Sequence, residues 1–131
     1  MTYEEIKNQQ PELVDCFFAF SDEQFAEGIK EKNLEGKKIF RAGHGLFGTD
    51  EGIKNLMAFY GNLNERIAKE CDPQKVYDYE FINHECDYVC DDTEAIEITF
   101  NLFGLERTKT VKRRYVYATL EEIAEKAEQD K

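Results

Sequence analysis

The stretch between Thr49 and Asp72 constrains the fold of this chain more than any other. Ile53, Leu56, Met57, Tyr60, Leu63 and Ile67 recur at three- and four-residue steps, which places them along one side of a helix. Thr49 ahead of Asp50 supplies the N-cap. Asp72-Pro73 then restarts the chain as the N-cap and first residue of another helix. A helix with an apolar stripe must bury it against a second layer, so the remaining segments are read for what covers it.

Thr2 and Glu5 form a capping box for a short first helix. Pro11 pushes the residue before it out of the α region, so that helix ends near Asn8 or Gln9. Residues 14–20, dense in aromatics, read as a buried strand. Ser21 caps a helix carrying Phe25 and Ile29 that runs to about Asn33. Gly36 marks a turn, and residues 38–42 are a partner strand.

After Pro73, Val76, Tyr79, Ile82, Cys86 and Val89 stripe a further helix. Asp92 or Thr93 opens the next, with Ala95, Ile98, Thr99 and Leu102 on one face and Ile96, Phe100 and Phe103 on another. Gly104 is its C-terminal stop. The alternation Ile96, Ile98, Phe100, Leu102 also permits a strand, and residues 107–118 fit either type. Thr119 and Glu122 cap a last helix, frayed over about residues 125–131. The expected fold is a mainly helical α+β class, with five or six helices packed with a small two-stranded β element. One globular domain accounts for all 131 residues.

Ten Phe and seven Tyr within 41% hydrophobic content fill a core without staples. The longest apolar stretches, 16–20 and 115–118, fall far short of the roughly 20 residues a membrane span needs. Acids at Glu4 and Glu5 stand where a signal peptide carries bases. The expected compartment is therefore cytoplasmic, with Cys16, Cys71, Cys86 and Cys90 as free thiols. A net charge of −11 opposes nucleic acid and anionic membrane, whose affinity for proteins comes from Lys and Arg. It suits a protein partner with a basic surface, or simply high solubility.

Four groups of residues are candidates for chemistry. Gly43, Gly45 and Gly48 have the GxGxxG spacing between a strand and a helix, but no second strand follows to place a ribose-binding acid. A looser possibility is an anion loop of backbone amides assisted by His44. Cys71, His84, Cys86 and Cys90 are weak candidates for a metal, since their spacing matches no finger, ribbon or knuckle. Cys86 fits an apolar stripe, where a small buried thiol is ordinary. His84 and Glu85 with the surrounding acids suggest acid–base or cation chemistry, though adjacent acids before a helix also serve as caps.

The fourth group is a charge segregation. Val76 to Glu106 holds nine acids and no Lys or Arg, interleaved with Tyr77, Tyr79, Phe81 and Tyr88. Arg107, Lys109, Lys112, Arg113 and Arg114 then put five bases into eight residues. The two blocks either pair with each other or are solvated faces, or the acidic one meets a basic protein. On the last reading Tyr77, Asp78, Glu85, Asp87, Tyr88, Asp91, Asp92 and Glu94 form the partner-binding surface.

At Phe17-Phe-Ala-Phe-Ser-Asp-Glu-Gln-Phe-Ala-Glu-Gly28, in the glycine-bearing segment 43–48 and at Asn83-His84-Glu85, the chain resembles a family of small uncharacterised proteins. Phages and conjugative elements of gut bacteria encode them. The resemblance supplies no activity, cofactor or catalytic residue. It implies a bacterial cytoplasm and an accessory role in a mobile element, with the acidic stretch as a decoy or inhibitor of a nucleic-acid-binding system. The leading expectation is a non-enzymatic acidic protein-binding module that mimics nucleic-acid charge, with no cofactor. The alternative is a small enzyme or metal-binding domain using His84, Glu85 and the nearby cysteines. A nucleotide-binding regulator built on the glycine loop is a third.

Overall fold

Side-chain caps set most helix starts. In the computed structural model, which describes Met1–Asp130, Thr2 and Glu5 cap α1 (Tyr3–Lys7) reciprocally. Ser21 Oγ accepts from Gln24 N–H at the head of α2 (Asp22–Glu31), and Thr49 Oγ1 from Gly52 N–H at the head of α3 (Asp50–Glu70). Asp72 caps α4 (Pro73–Asn83), and Thr119 caps α7 (Leu120–Gln129). The frayed end expected at 125–131 is helical through Gln129, and Lys131 lies outside the described residues. With α5 (Cys86–Val89) and α6 (Thr93–Thr108), seven helices accompany three strands among the described residues, a mainly helical α+β fold.

The chain divides into two compact units, residues 9–63 and residues 1–8 with 64 onward. The first contains β1 (Cys16–Phe18), β2 (Phe40–Gly43) and β3 (Leu46–Gly48), antiparallel in the order β1-β3-β2. The expected pairing of 14–20 with 38–42 is thus mediated by a third strand from the glycine segment. Its cause is the turn at His44-Gly45. Both residues have positive φ, 52° and 80°, the backbone of a two-residue hairpin turn whose twist matches the strands it joins. Phe17 opposes Phe47, and their rings cluster with Phe25 of α2 on one face of the sheet. Gly28 lets α2 approach, since a Cβ there would lie 2.2 Å from the Phe17 ring. Cys16, Leu46 and Leu56 of α3 pack together as a second cluster.

In the other unit α4 packs along α6, and Tyr77, Phe81, Cys86, Ala95, Ile96, Val111 and Ile123 form the core. The stripe expected to run unbroken from Val76 to Val89 breaks after Asn83. Glu85 is left-handed at φ 51°, so the helix cannot continue, and α5 restarts the chain with Cys86 buried. Residues 93–103 are helical. Gly104, expected as the stop, is a kink at φ 82° and ψ 173°, and helix resumes through Thr108. Residues 109–118 adopt neither regular type.

Candidate partner-binding groove

The acid-rich stretch sorts into two environments within the second unit. Beneath the surface, Asp92 is fully buried. Its Oδ2 accepts from Tyr77 Oη at 2.7 Å and from Arg113 Nε at 2.9 Å, while Oδ1 accepts from Arg113 Nη2 at 2.8 Å. Arg113 also donates to the Ala118 carbonyl. Burial, aided by Asp92, pushes the Tyr77 hydroxyl well above the ordinary tyrosine value, so it stays a donor.

Glu80, also fully buried, accepts at Oε1 from Tyr3 Oη at 2.9 Å and from Lys7 Nζ. Its Oε2 lies 3.0 Å from His84 Nε2, an ion-pair distance, but off the hydrogen-bond axis, so that oxygen accepts no directed bond. Burial opposes the charge of Glu80. Lys7, Tyr3 and His84 outweigh it and hold the carboxyl below its usual range. His84 Nδ1 meets Glu94 Oε2 at 2.5 Å.

Above these pairs lies an open groove of about 730 Å³ lined by Phe81, Ile82, Glu85, Asp87, Tyr88 and Arg114. Phe81 supplies its floor, with the Tyr115 ring stacked parallel at 6.2 Å. The Arg114 guanidinium lies over Phe81, 4.1 Å from its centroid. Tyr88 is 88% exposed and Ile82 74%. Asp87 hydrogen-bonds the Tyr115 hydroxyl and raises its pKa. Glu85, Cys90 and Tyr115 all have left-handed backbones, uncommon for residues with side chains this size.

Of the eight residues expected on a partner surface, Glu85, Asp87 and Tyr88 line this groove. Tyr77 and Asp92 do not belong to a surface at all: each is fully buried and paired internally. Asp91, one residue ahead of the α6 N-cap, accepts from Thr93 N–H and Oγ1. Asp78 accepts from Gln74, and Glu94 pairs with His84. Sequence reasoning missed Phe81, Ile82 and Arg114 as groove residues. Phe81 was visible among the interleaved aromatics and Arg114 within the basic block, but nothing local tied one to the other.

The basic block is mostly structural. Arg107 donates to the Ala68 and Cys71 carbonyls at the end of α3, Lys109 pairs with Glu106, and Arg113 serves Asp92. The other candidate groups come apart. Gly43, His44, Gly45 and Gly48 form a hairpin rather than a strand–loop–helix cradle. Gly45 packs on Phe20, and Gly48 packs on the Asp15 carbonyl. The thiols are free, with Cys16 and Cys86 buried, Cys71 half-buried and Cys90 exposed. Burial raises the pKa of Cys16, Cys71 and Cys86, which keeps them protonated and poor nucleophiles. His84 engages two carboxylates and not the cysteines. Among the described residues no group of three or more His, Cys, Asp or Glu is placed to hold a metal ion, and no helix is long and apolar enough to cross a membrane.

The profile of a family of unknown function (DUF7659) matches residues 2–126, and the chain belongs to that family. No curated protein and no solved structure matches it.

Proposed function

We propose that this family member is a non-enzymatic binding module whose groove docks a segment of a basic protein partner. The observation that carries the reading is the groove itself. An aromatic floor and an exposed tyrosine stand beside Glu85 and Asp87, neither of which has a cationic partner among the described residues. Aromatic anchors within a charged rim are how interfaces gain both contact area and orientation. The net charge of −11 extends the same preference over the whole surface and speeds encounter with a basic partner.

The resemblance to proteins of phages and conjugative elements supports a finer version. In it, the chain works in a bacterial cytoplasm as an accessory protein that offers acidic charge to a nucleic-acid-binding protein in place of its nucleic acid. Capture of basic proteins from a bacterial lysate, compared between wild type and the double variant Glu85→Lys/Asp87→Lys, tests the reading. One salt-sensitive partner that the variant fails to hold supports it. A partner retained equally by the variant would sink the groove as the docking site.

A further inference from the structure

The Arg114 side chain has an unusual position for a surface arginine. Its main chain is fixed, with Arg114 N–H donating to Tyr77 Oη at 2.7 Å. Its guanidinium carbon sits 4.1 Å from the Phe81 ring centroid inside the groove, yet no carboxylate pairs with it among the described residues. Asp87 and Glu85 line the same groove without a cation of their own among the described residues. One guanidinium therefore already occupies the aromatic floor through a cation–π contact, and among the described residues it can leave without breaking an ion pair or moving the backbone.

Resting on the proposed docking role of the groove, we propose that its ligand is an arginine-bearing segment, and that Arg114 holds the arginine position until the partner's guanidinium displaces it. Planarity is the reason for arginine over lysine. A guanidinium stacks on a ring while its N–H groups reach sideways to carboxylates, whereas an ammonium is a compact, strongly hydrated charge that does neither as well. The displaced Arg114 swings to solvent, and Glu85 and Asp87 receive a guanidinium whose approach the resident cation had blocked. Stacking of this kind is worth about 0.5–1 kcal/mol at an exposed site, which corresponds to a preference of roughly two- to five-fold.

Calorimetric titration of the full chain with octa-arginine and octa-lysine peptides at low ionic strength tests this. Two variants that each remove one positive charge are compared, Arg114→Gln in the groove and Lys112→Gln outside it. The expected result is that octa-arginine binds several-fold tighter than octa-lysine, and that Arg114→Gln tightens octa-arginine binding beyond Lys112→Gln. Equal tightening by the two variants, or equal affinity for the two peptides, overturns the arginine site while leaving a basic partner in place. Failure of both peptides to bind overturns the docking role as well.

Discussion

Glu80 and Asp92 bracket Glu85 and Asp87 in the sequence, yet the two pairs of acids have opposite fates. The outer two are buried and surrounded by donors brought from elsewhere in the chain, Tyr3 and Lys7 for Glu80, Tyr77 and Arg113 for Asp92. The inner two line an open groove and have no ion pair among the described residues. What separates them is the left-handed Glu85 just past the end of α4, after which Cys86 turns inward while Asp87 and Tyr88 face solvent. A single acidic stretch thus supplies both the cross-links of the interior and the charge of the surface.

The contrast can be broken most severely at Asp92. Asp92→Ala leaves the buried Arg113 guanidinium without its carboxylate, and chemical denaturation should show a loss of about 3–5 kcal/mol, the usual cost of breaking a buried pair from one side. Glu80→Gln should cost about 1–3 kcal/mol by the same measurement, because the amide keeps one acceptor but loses the charge that Lys7 answers.

The pH dependence of Glu80 sharpens the difference. Its carboxyl is held below the ordinary range, so its contribution is present above that range and disappears as the pH falls through its lowered native value. The wild type should lose more stability than Glu80→Gln on acidification. On the alkaline side, Tyr3 and Tyr77 are both pushed up, and their contribution is lost as the pH rises past about 10, the ordinary tyrosine value.

The groove acids should behave differently. Glu85→Gln and Asp87→Asn should each change stability by no more than about 0.5 kcal/mol, while weakening capture of the basic partner. Tyr115→Phe should be smaller still in denaturation. It removes only the hydroxyl that occupies Asp87, and partner binding should be kept or improved.

How far the residues foretold this follows the range of the interactions involved. α3 and the caps at Thr2, Ser21, Thr49, Asp72 and Thr119 were legible because periodicity and capping are local. β3 was not, because the glycine segment fits a phosphate loop as well as a hairpin until the backbone at His44 and Gly45 is known. The break at Glu85 was hidden for a similar reason: nothing in a glutamate announces a left-handed backbone. In the groove, Glu85, Asp87 and Tyr88 were legible from charge and aromatic content. Tyr77 and Asp92 were misplaced to the surface because their burial depends on Arg113 and on the backbone at Arg114, which the fold brings back from well down the chain.

The run from Arg107 to Arg114 holds five potential trypsin sites in a stretch that has little regular structure. A protease must draw several residues around the scissile bond into its own extended cleft. Here that means pulling Arg107 off the end of α3, Lys112 out of the two-point grip of Gln74, and Arg113 away from Asp92. Digestion at these bonds therefore waits on local opening, and its rate becomes a clock for how often the interior acids let go.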